Sequence, residues 1–279
     1  MKRIVTIQDL SCVGKCSLGA ALPVISAAGI ECCGIPTALL SNHTGFSSFY
    51  IRDLTDELAP IAGQLKRLDI RFDAVYTGYI ASSGQMDIIS GLIDELRGED
   101  TSIFVDPVMG DNGKLYPAIT PDYAEKMRSL CAKADIIVPN LTEAYLLTGR
   151  EYDPSPSPED IRELLRGLLS LGPSKAVITG AFGKAGETGA MGYDGAKYCG
   201  EFTPREDISC SGTGDLFASA LLGAVMRGQA FAQAVSTAVK FTYEAVRRTA
   251  ADPDRREYGV NFEQALPLYI KLLGGDGNG

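Results

Sequence analysis

At 279 residues and a net charge of −9, the chain lacks the basic balance needed to track a nucleic-acid backbone; a nucleotide site, which needs only a few backbone N–H groups and a metal, stays open. No run of ~18 or more apolar residues occurs, and Met1-Lys2-Arg3 leads straight into a strand pattern without the apolar stretch of a signal peptide, so a soluble cytoplasmic protein with no membrane partner is expected. The seven cysteines (Cys12, Cys16, Cys32, Cys33, Cys131, Cys199 and Cys210) form no CxxC pair and are accompanied by a single histidine, which argues against a Cys/His zinc site and fits reduced thiols.

Taken in chain order, short apolar runs predict strands at Ile4–Ile7, Cys33–Leu39, Ala74–Tyr79, Ser102–Val105, Ile136–Val138 and Ala176–Thr179. Between them, helical periodicity predicts helices at Leu54–Leu68, Met86–Arg97, Tyr123–Ala132 and Pro158–Leu171. Strand and helix in alternation imply crossover connections and a mostly parallel sheet, and the continuously apolar runs suit strands covered on both faces. Gly192-Tyr193-Asp194-Gly195 reads as a hairpin at one edge of the sheet. The last third turns helical at Asp215–Arg227, Phe231–Arg248 and Phe262–Leu273. The proline cluster Asp153–Pro158 opens a helix rather than a linker, because the alternation continues across it. One α/β domain over residues 1–273 is expected, with Gly274–Gly279 as a disordered tail.

Ligands of open parallel sheets bind at the carboxyl ends of the strands, and four polar groups fall there. Ser211-Gly212-Thr213-Gly214-Asp215 opens an apolar helix: its glycines let backbone N–H groups converge on an anion, the helix start adds positive partial charge, and a carboxylate at the edge can take a proton from an attacking hydroxyl. Asp215 reads equally as a carboxylate that merely complements a helix start. Asp106, where Pro107 ends a strand, can hold a magnesium-bound water or simply form a turn. Glu143, in Pro139-Asn140-Leu141-Thr142-Glu143, can be a second outer ligand of that ion, or Asn140 or Thr142 can cap the next helix with Glu143 in its first turn. The lone histidine lies in the polar loop Ser41-Asn42-His43-Thr44-Gly45, which favours recognition over a structural role.

Two glycine-bearing segments mislead. Val13-Gly14-Lys15-Cys16-Ser17 lacks the spacing of a phosphate-binding P-loop, and Gly180–Gly186 precedes no helix and reads as a flexible loop over a nucleotide.

Together these groups resemble the ribokinase superfamily and, within it, the pyridoxal kinases, from Ile4 to the last helix. Gly212-Thr213-Gly214-Asp215 is similar to the anion hole and base shared across the superfamily. Ser41-Asn42-His43-Thr44-Gly45 resembles the loop that covers the pyridine ring in pyridoxal kinases. Thr77-Gly78-Tyr79, Asp106-Pro107-Val108-Met109-Gly110 and Pro139-Asn140 with Glu143 match that family too.

The resemblance implies a three-layer α/β/α sandwich, usually a homodimer, that phosphorylates the 5′-hydroxymethyl group of pyridoxal, pyridoxine or pyridoxamine. It implies Asp215 as the base, with Gly212 and Gly214 holding the transition-state charge. It places Asp9, His43, Thr44 and Tyr79 at the ring, and Asn140, Thr179, Gly212 and Thr213 at ATP. Asp106 and Glu143 would position Mg²⁺ through water, with a monovalent cation as a further cofactor candidate and Asp111–Tyr116 as a lid. One departure stands out: Ile7-Gln8-Asp9 carries a carboxylate where the family has a serine, which is expected to favour a cationic acceptor such as pyridoxamine. The alternatives are a hydroxymethylpyrimidine kinase of the same superfamily, against which the Ser-Asn-His-Thr loop speaks, and a non-catalytic B6 carrier, which would need no base.

Overall fold

The computed structural model describes residues 1–274 except Ala118 and Glu257; the rest of the expected tail lies outside the described residues. In chain order the elements are β1 (Arg3–Ser11), α1 (Ser17–Ala27), β2 (Glu31–Leu40), β3 (Ile51–Asp53), α2 (Thr55–Arg67), β4 (Ala74–Thr77), α3 (Ser83–Leu96), β5 (Ser102–Val105), β6 (Gly110–Asp111), β7 (Lys114–Leu115), α4 (Pro121–Cys131), β8 (Ile136–Ile137), α5 (Leu141–Thr148), α6 (Pro158–Leu169), β9 (Lys175–Phe182), β10 (Glu187–Tyr193), β11 (Tyr198–Pro204), α7 (Thr213–Met226), α8 (Phe231–Ala251) and α9 (Leu266–Leu272).

The main sheet runs β11-β10-β9-β8-β5-β4-β1-β2-β3. Strands β9, β8, β5, β4, β1 and β2 are parallel to their neighbours in that series, while β10 and β11 at one edge and β3 at the other pair antiparallel. This is the mostly parallel α/β architecture expected. Alternation along each strand sends side chains into two cores. Val5, Ile7, Val75, Ile103 and Val105 meet α2 to α6 on one face. Ile4, Ala74, Tyr76 and Phe104 meet α1, α7, α8 and α9 on the other. Both faces are therefore apolar, which is why the strands read as unbroken apolar runs. Among the described residues, no helix is long and apolar enough to cross a membrane.

The structure corrects several expectations. β4 stops at Thr77 and β8 at Ile137, shorter than the apolar runs. Gly180–Phe182 is not loop but the end of β9, held by the pairs Ala181↔Gly189 and Phe182↔Thr188; only the four residues 183–186 turn. Gly180, at φ 70°, is skipped in that register and forms a bulge. The segment Phe262–Leu273 divides at Ala265 into a short 3₁₀ turn and α9, whose first turn contains Pro267. Helix α1 escapes periodicity because its buried residues, Ser17, Leu18, Ala20, Ala21, Val24 and Ile25, wrap around it, and it contains Pro23. The expected Gly192–Gly195 hairpin is present between β10 and β11.

Helix α9 docks on α7 through Tyr269, fully buried, whose hydroxyl donates to the Ala220 carbonyl oxygen at 3.0 Å. Gly223, one turn further along α7, makes this approach possible: a Cβ there would collide with the Tyr269 hydroxyl oxygen and stand 3.1 Å from Ala28 Cβ. In an unconstrained helix Gly→Ala stabilises by about 1 kcal/mol. Here overpacking costs about 1–3 kcal/mol, so Gly223→Ala is expected to lower the urea midpoint at unchanged m-value. A rise in the midpoint would show that α9 does not pack in this way.

Candidate active site

The site forms where the parallel strands end. Between β1 and β2 the register slips: Gln8 faces Pro36, but Leu10 faces Leu39. Asp9 lies at this irregularity, a common device for re-aiming a side chain beside a site. After β1 the chain loops to α1, whose first residue, Ser17, takes a left-handed φ of 46°. A non-glycine residue in that region is uncommon and costs free energy. The strain places Ser17 between two carboxylates: its hydroxyl faces Asp9 and its backbone N–H faces Asp215.

Asp215 stands in the first turn of α7. The N-cap, Gly212, is left-handed at φ 80°, and a Cβ on it would strike the Lys15 carbonyl oxygen, so only glycine fits. Gly214 has open space on its Cβ side. No side chain caps this helix, leaving the first-turn N–H groups available to an anion. Burial pushes the Asp215 carboxyl up to about 6; the Ser17 N–H lowers it in part, and Asp9 adds to the rise.

Burial also raises Asp9, offset by the Ser17 hydroxyl and by His43. Tyr79 is raised by burial and by Asp9. Asp9 thus lies within electrostatic reach of His43, Tyr79 and Asp215. The His43 N–H donates to the Val13 carbonyl oxygen at 2.8 Å, tying the two loops together. The Gly45 N–H donates to His43 Nδ1 at 3.0 Å, which leaves the ring proton on Nε2. Thr44 lies exposed at the rim.

A second acidic group stands beside the first. Asp106, 5% exposed, is held well above the ordinary aspartate range by burial, by Glu143 and by Asp215. Glu143 is pushed to about 8 by burial, although backbone N–H groups pull it down. Those N–H groups come from Asn140 at 2.8 Å and Met109 at 3.0 Å. Glu143 therefore does act as the helix-start carboxylate: with Asn140 it closes a capping box on α5. Asn140 spends its side chain on that cap and on the Gly110 carbonyl oxygen, 2.8 Å away. Thr179, within β9, bridges Asn140 and donates its N–H to the Pro139 carbonyl oxygen at 3.0 Å. Thr213 is the first residue of α7.

The β6–β7 hairpin occupies the segment read as a lid. The N–H of Gly113 in its turn donates to the Thr142 hydroxyl at 2.9 Å. Tyr116, just beyond β7, is raised by burial and by Glu143, Asp111, Asp106 and Asp215, so it faces the acidic group. Tyr116 closes the segment that the sequence marks as a lid, whereas no sequence feature assigns Ser17 a role at the site. The Lys15 ammonium turns away from the site to Glu263 at 2.9 Å and Asn261 at 3.4 Å. Next to Ser211, a cavity of about 380 Å³ opens between Asp207, Cys210, Thr249 and Arg255.

These features agree with the comparisons. The family model described as phosphomethylpyrimidine kinase matches residues 17–261. The pyridoxal kinase of Ovis aries is 31% identical over 79% of this chain and 76% of its own length. That of Arabidopsis thaliana is 35% identical, but the match spans 63% of this chain and only 57% of the plant protein. The structure of a protein from Bacteroides thetaiotaomicron, described as a phosphomethylpyrimidine kinase and crystallised with pyridoxal, superposes with a TM-score of 0.91 at 36% identity, covering 96% of this chain and 95% of its own. With its sheet, its glycine-capped α7 and its acidic pocket in place, the chain belongs to the pyridoxal kinase family of the ribokinase superfamily.

Proposed function

We propose that this chain, acting as one kinase domain over residues 1–273, transfers the γ-phosphoryl group of ATP to the 5′-hydroxymethyl oxygen of pyridoxal, pyridoxine or pyridoxamine. The observation that carries the reading is Asp215 beside the uncapped N-terminus of α7, within electrostatic reach of Asp9, as His43 and Tyr79 also are. Asp215 takes the proton of the alcohol as its oxygen attacks phosphorus. The N–H groups of Gly212, Thr213 and Gly214 hold the charge that develops on the transferred group. His43 Nε2–H, Thr44, Tyr79 and Asp9 orient the ring. Asn140 and Thr179 shape the nucleotide groove, and the cavity beside Ser211 takes the nucleoside.

Mg²⁺ fits the acidic group. The Asp106 carboxylate is buried and accepts no side-chain-directed hydrogen bond among those described, and its neighbours Glu143 and Asp215 are both raised, a negative cluster that a cation relieves. Asp106 and Glu143 would hold the ion through water and phosphate. Bound there, Mg²⁺ would neutralise phosphate charge. A monovalent cation, a homodimer and a cytoplasmic location belong to the proposal through the resemblance alone.

A second reading, a hydroxymethylpyrimidine kinase, is favoured by the description of the matching family model. ATP consumption by purified protein offered pyridoxal, pyridoxine, pyridoxamine and hydroxymethylpyrimidine in turn separates the two. A non-catalytic B6 carrier would consume none.

Asp215→Asn is expected to lower kcat by roughly 100-fold or more while ATP still binds; retention of more than about a third of the activity would remove the base. Because Asp215 must be ionised to accept the proton and is raised to about 6, kcat/KM is expected to climb through that pH and level off above it. A profile flat from about pH 5 to 7 would place the base elsewhere. Asp9→Ser is expected to reduce kcat/KM for pyridoxamine more than for pyridoxal, since the lost carboxylate faces an aminomethyl cation. Equal changes for both would mean that Asp9 does not read the amine.

A further inference from the structure

The loop after β2, residues 41–50, carries His43 and is fastened at its base. The Ser41 N–H donates to the Tyr50 carbonyl oxygen at 3.0 Å, the Tyr50 N–H to the Ser41 hydroxyl at 2.9 Å, and the Asn42 amide nitrogen to the Ser48 carbonyl oxygen at 2.9 Å. The tip of the loop, Thr44 to Ser47, is exposed. Phe46 is the one large apolar side chain between Ser41 and Ser48. It belongs to neither core and stacks instead on Tyr258, with ring centroids 5.4 Å apart and planes 27° apart.

This stack bears directly on His43. The Phe46 N–H donates to the His43 carbonyl oxygen at 3.1 Å, closing a tight turn that begins at the histidine and ends at the phenylalanine. Within the turn, the Gly45 N–H holds the His43 ring at Nδ1. Fixing Phe46 therefore fixes the turn and the direction of the histidine ring. Tyr258 is the firmer partner. Its carbonyl oxygen accepts the Lys15 N–H at 3.3 Å, and Gly259 packs so closely on Lys15 that a Cβ there would strike the lysine side chain. The Lys15 ammonium is tied to Glu263 and Asn261, and its carbonyl oxygen lies against Gly212 at the start of α7. Asn261 is bonded in turn to Thr249 and Asp252 at the end of α8, each at 2.8 Å. The loop tip thus rests on a point built into the same frame as Asp215.

One aromatic pair biases an equilibrium by about 2- to 10-fold. That is small for the stability of a whole domain but enough to set how often a single loop stands open. A ligand that needs the closed loop binds more weakly in proportion as the closed fraction falls. We propose that Phe46 and Tyr258 form an aromatic clasp that holds the His43 turn over the acceptor ring, which makes both of them positioning residues acting through His43. The clasp rests on the reading of His43 as a residue that orients the ring.

Phe46→Ala and Tyr258→Ala are each expected to raise KM for the preferred alcohol about fivefold. Their kcat and their KM for ATP should stay within about twofold, because a contact that only orders the loop acts alike in ground and transition states. The double variant is expected to be no worse than either single one, since each alone breaks the same stack. Phe46→Tyr and Tyr258→Phe keep the stacked faces and are expected to restore KM, which separates the clasp from any effect of the tyrosine hydroxyl. Amide hydrogen exchange over residues 41–50 of the ligand-free protein reads the clasp without catalysis and is expected to quicken in both alanine variants. Unchanged exchange would mean that the stack does not hold the loop, and quicker exchange with an unchanged KM for the alcohol would mean that holding it does not serve the acceptor. Either result overturns the proposal. If the wild type is active and His43→Ala leaves KM for the alcohol unchanged, the role of His43 fails first and the clasp loses its purpose. If the wild type phosphorylates neither a B6 compound nor hydroxymethylpyrimidine, the functional reading itself fails and the positioning role falls with it.

Discussion

Crowding of buried and half-buried carboxylates at one end of a parallel sheet is the constraint around which this molecule is organised. Asp9, Asp106, Glu143 and Asp215 come from β1, the end of β5, α5 and α7, and each is driven toward its protonated form, chiefly by burial. Desolvating a carboxylate is costly, and placing like charges within reach of one another adds to the cost. What offsets it is fixed backbone: the N–H groups of Asn140 and Met109 for Glu143, and of Ser17 for Asp215. The left-handed Ser17 and Gly212 and the bulge beside Asp9 are the local distortions that aim these groups. A phosphoryl-transfer site needs this arrangement, because the pocket is satisfied only when cationic or proton-donating ligands fill it.

The same crowding sets how the free protein responds to pH. A carboxyl group whose proton affinity is higher folded than unfolded binds more protons in the native state across the interval between its two values. Stability therefore falls as pH rises through that interval, which for Asp215 ends near 6 and for Glu143 near 8. Ionising Asp215 and Glu143 therefore costs the free protein stability, and ligands that bring positive charge recover the loss by mass action.

How much of this was legible in the sequence depended on the range of the cause. The glycine-capped start of α7 was legible because glycines, helix start and carboxylate lie within five residues, and the sheet because doubly covered strands are continuously apolar. His43 and Tyr79 lie within electrostatic reach of Asp9. Glu143 and Asn140 were open to two readings, and the capping box shows that the bland one operates. Thr44 is exposed. The place of Ser17 was not legible: it is set by contacts between elements far apart in the chain and by a left-handed backbone conformation that no residue type announces.

Recognition and chemistry are mounted differently, and that follows from what each must do. Asp215 and the first-turn N–H groups stand on α7, clamped between the sheet and α8 by buried side chains from Leu216 to Ala224, so on the proposed reading base and anion hole sit on one rigid element. The residues proposed to face the ring come instead from the ends of β1 and β4 and from the loop after β2. That loop is fastened by single bonds such as His43 N–H to Val13 and by the stacking of Phe46 on Tyr258 at 5.4 Å. A rigid chemical centre tolerates little displacement, whereas a loop held by a few separable contacts can open to admit one aromatic alcohol and close over another. Asp9 sits where the two regimes meet: it is anchored in β1 like the chemical groups, yet it lies beside His43 and Tyr79. On the proposed reading, a substitution there would alter which alcohol is accepted without loosening α7, so the acceptor could change while the phosphoryl-transfer groups stay fixed.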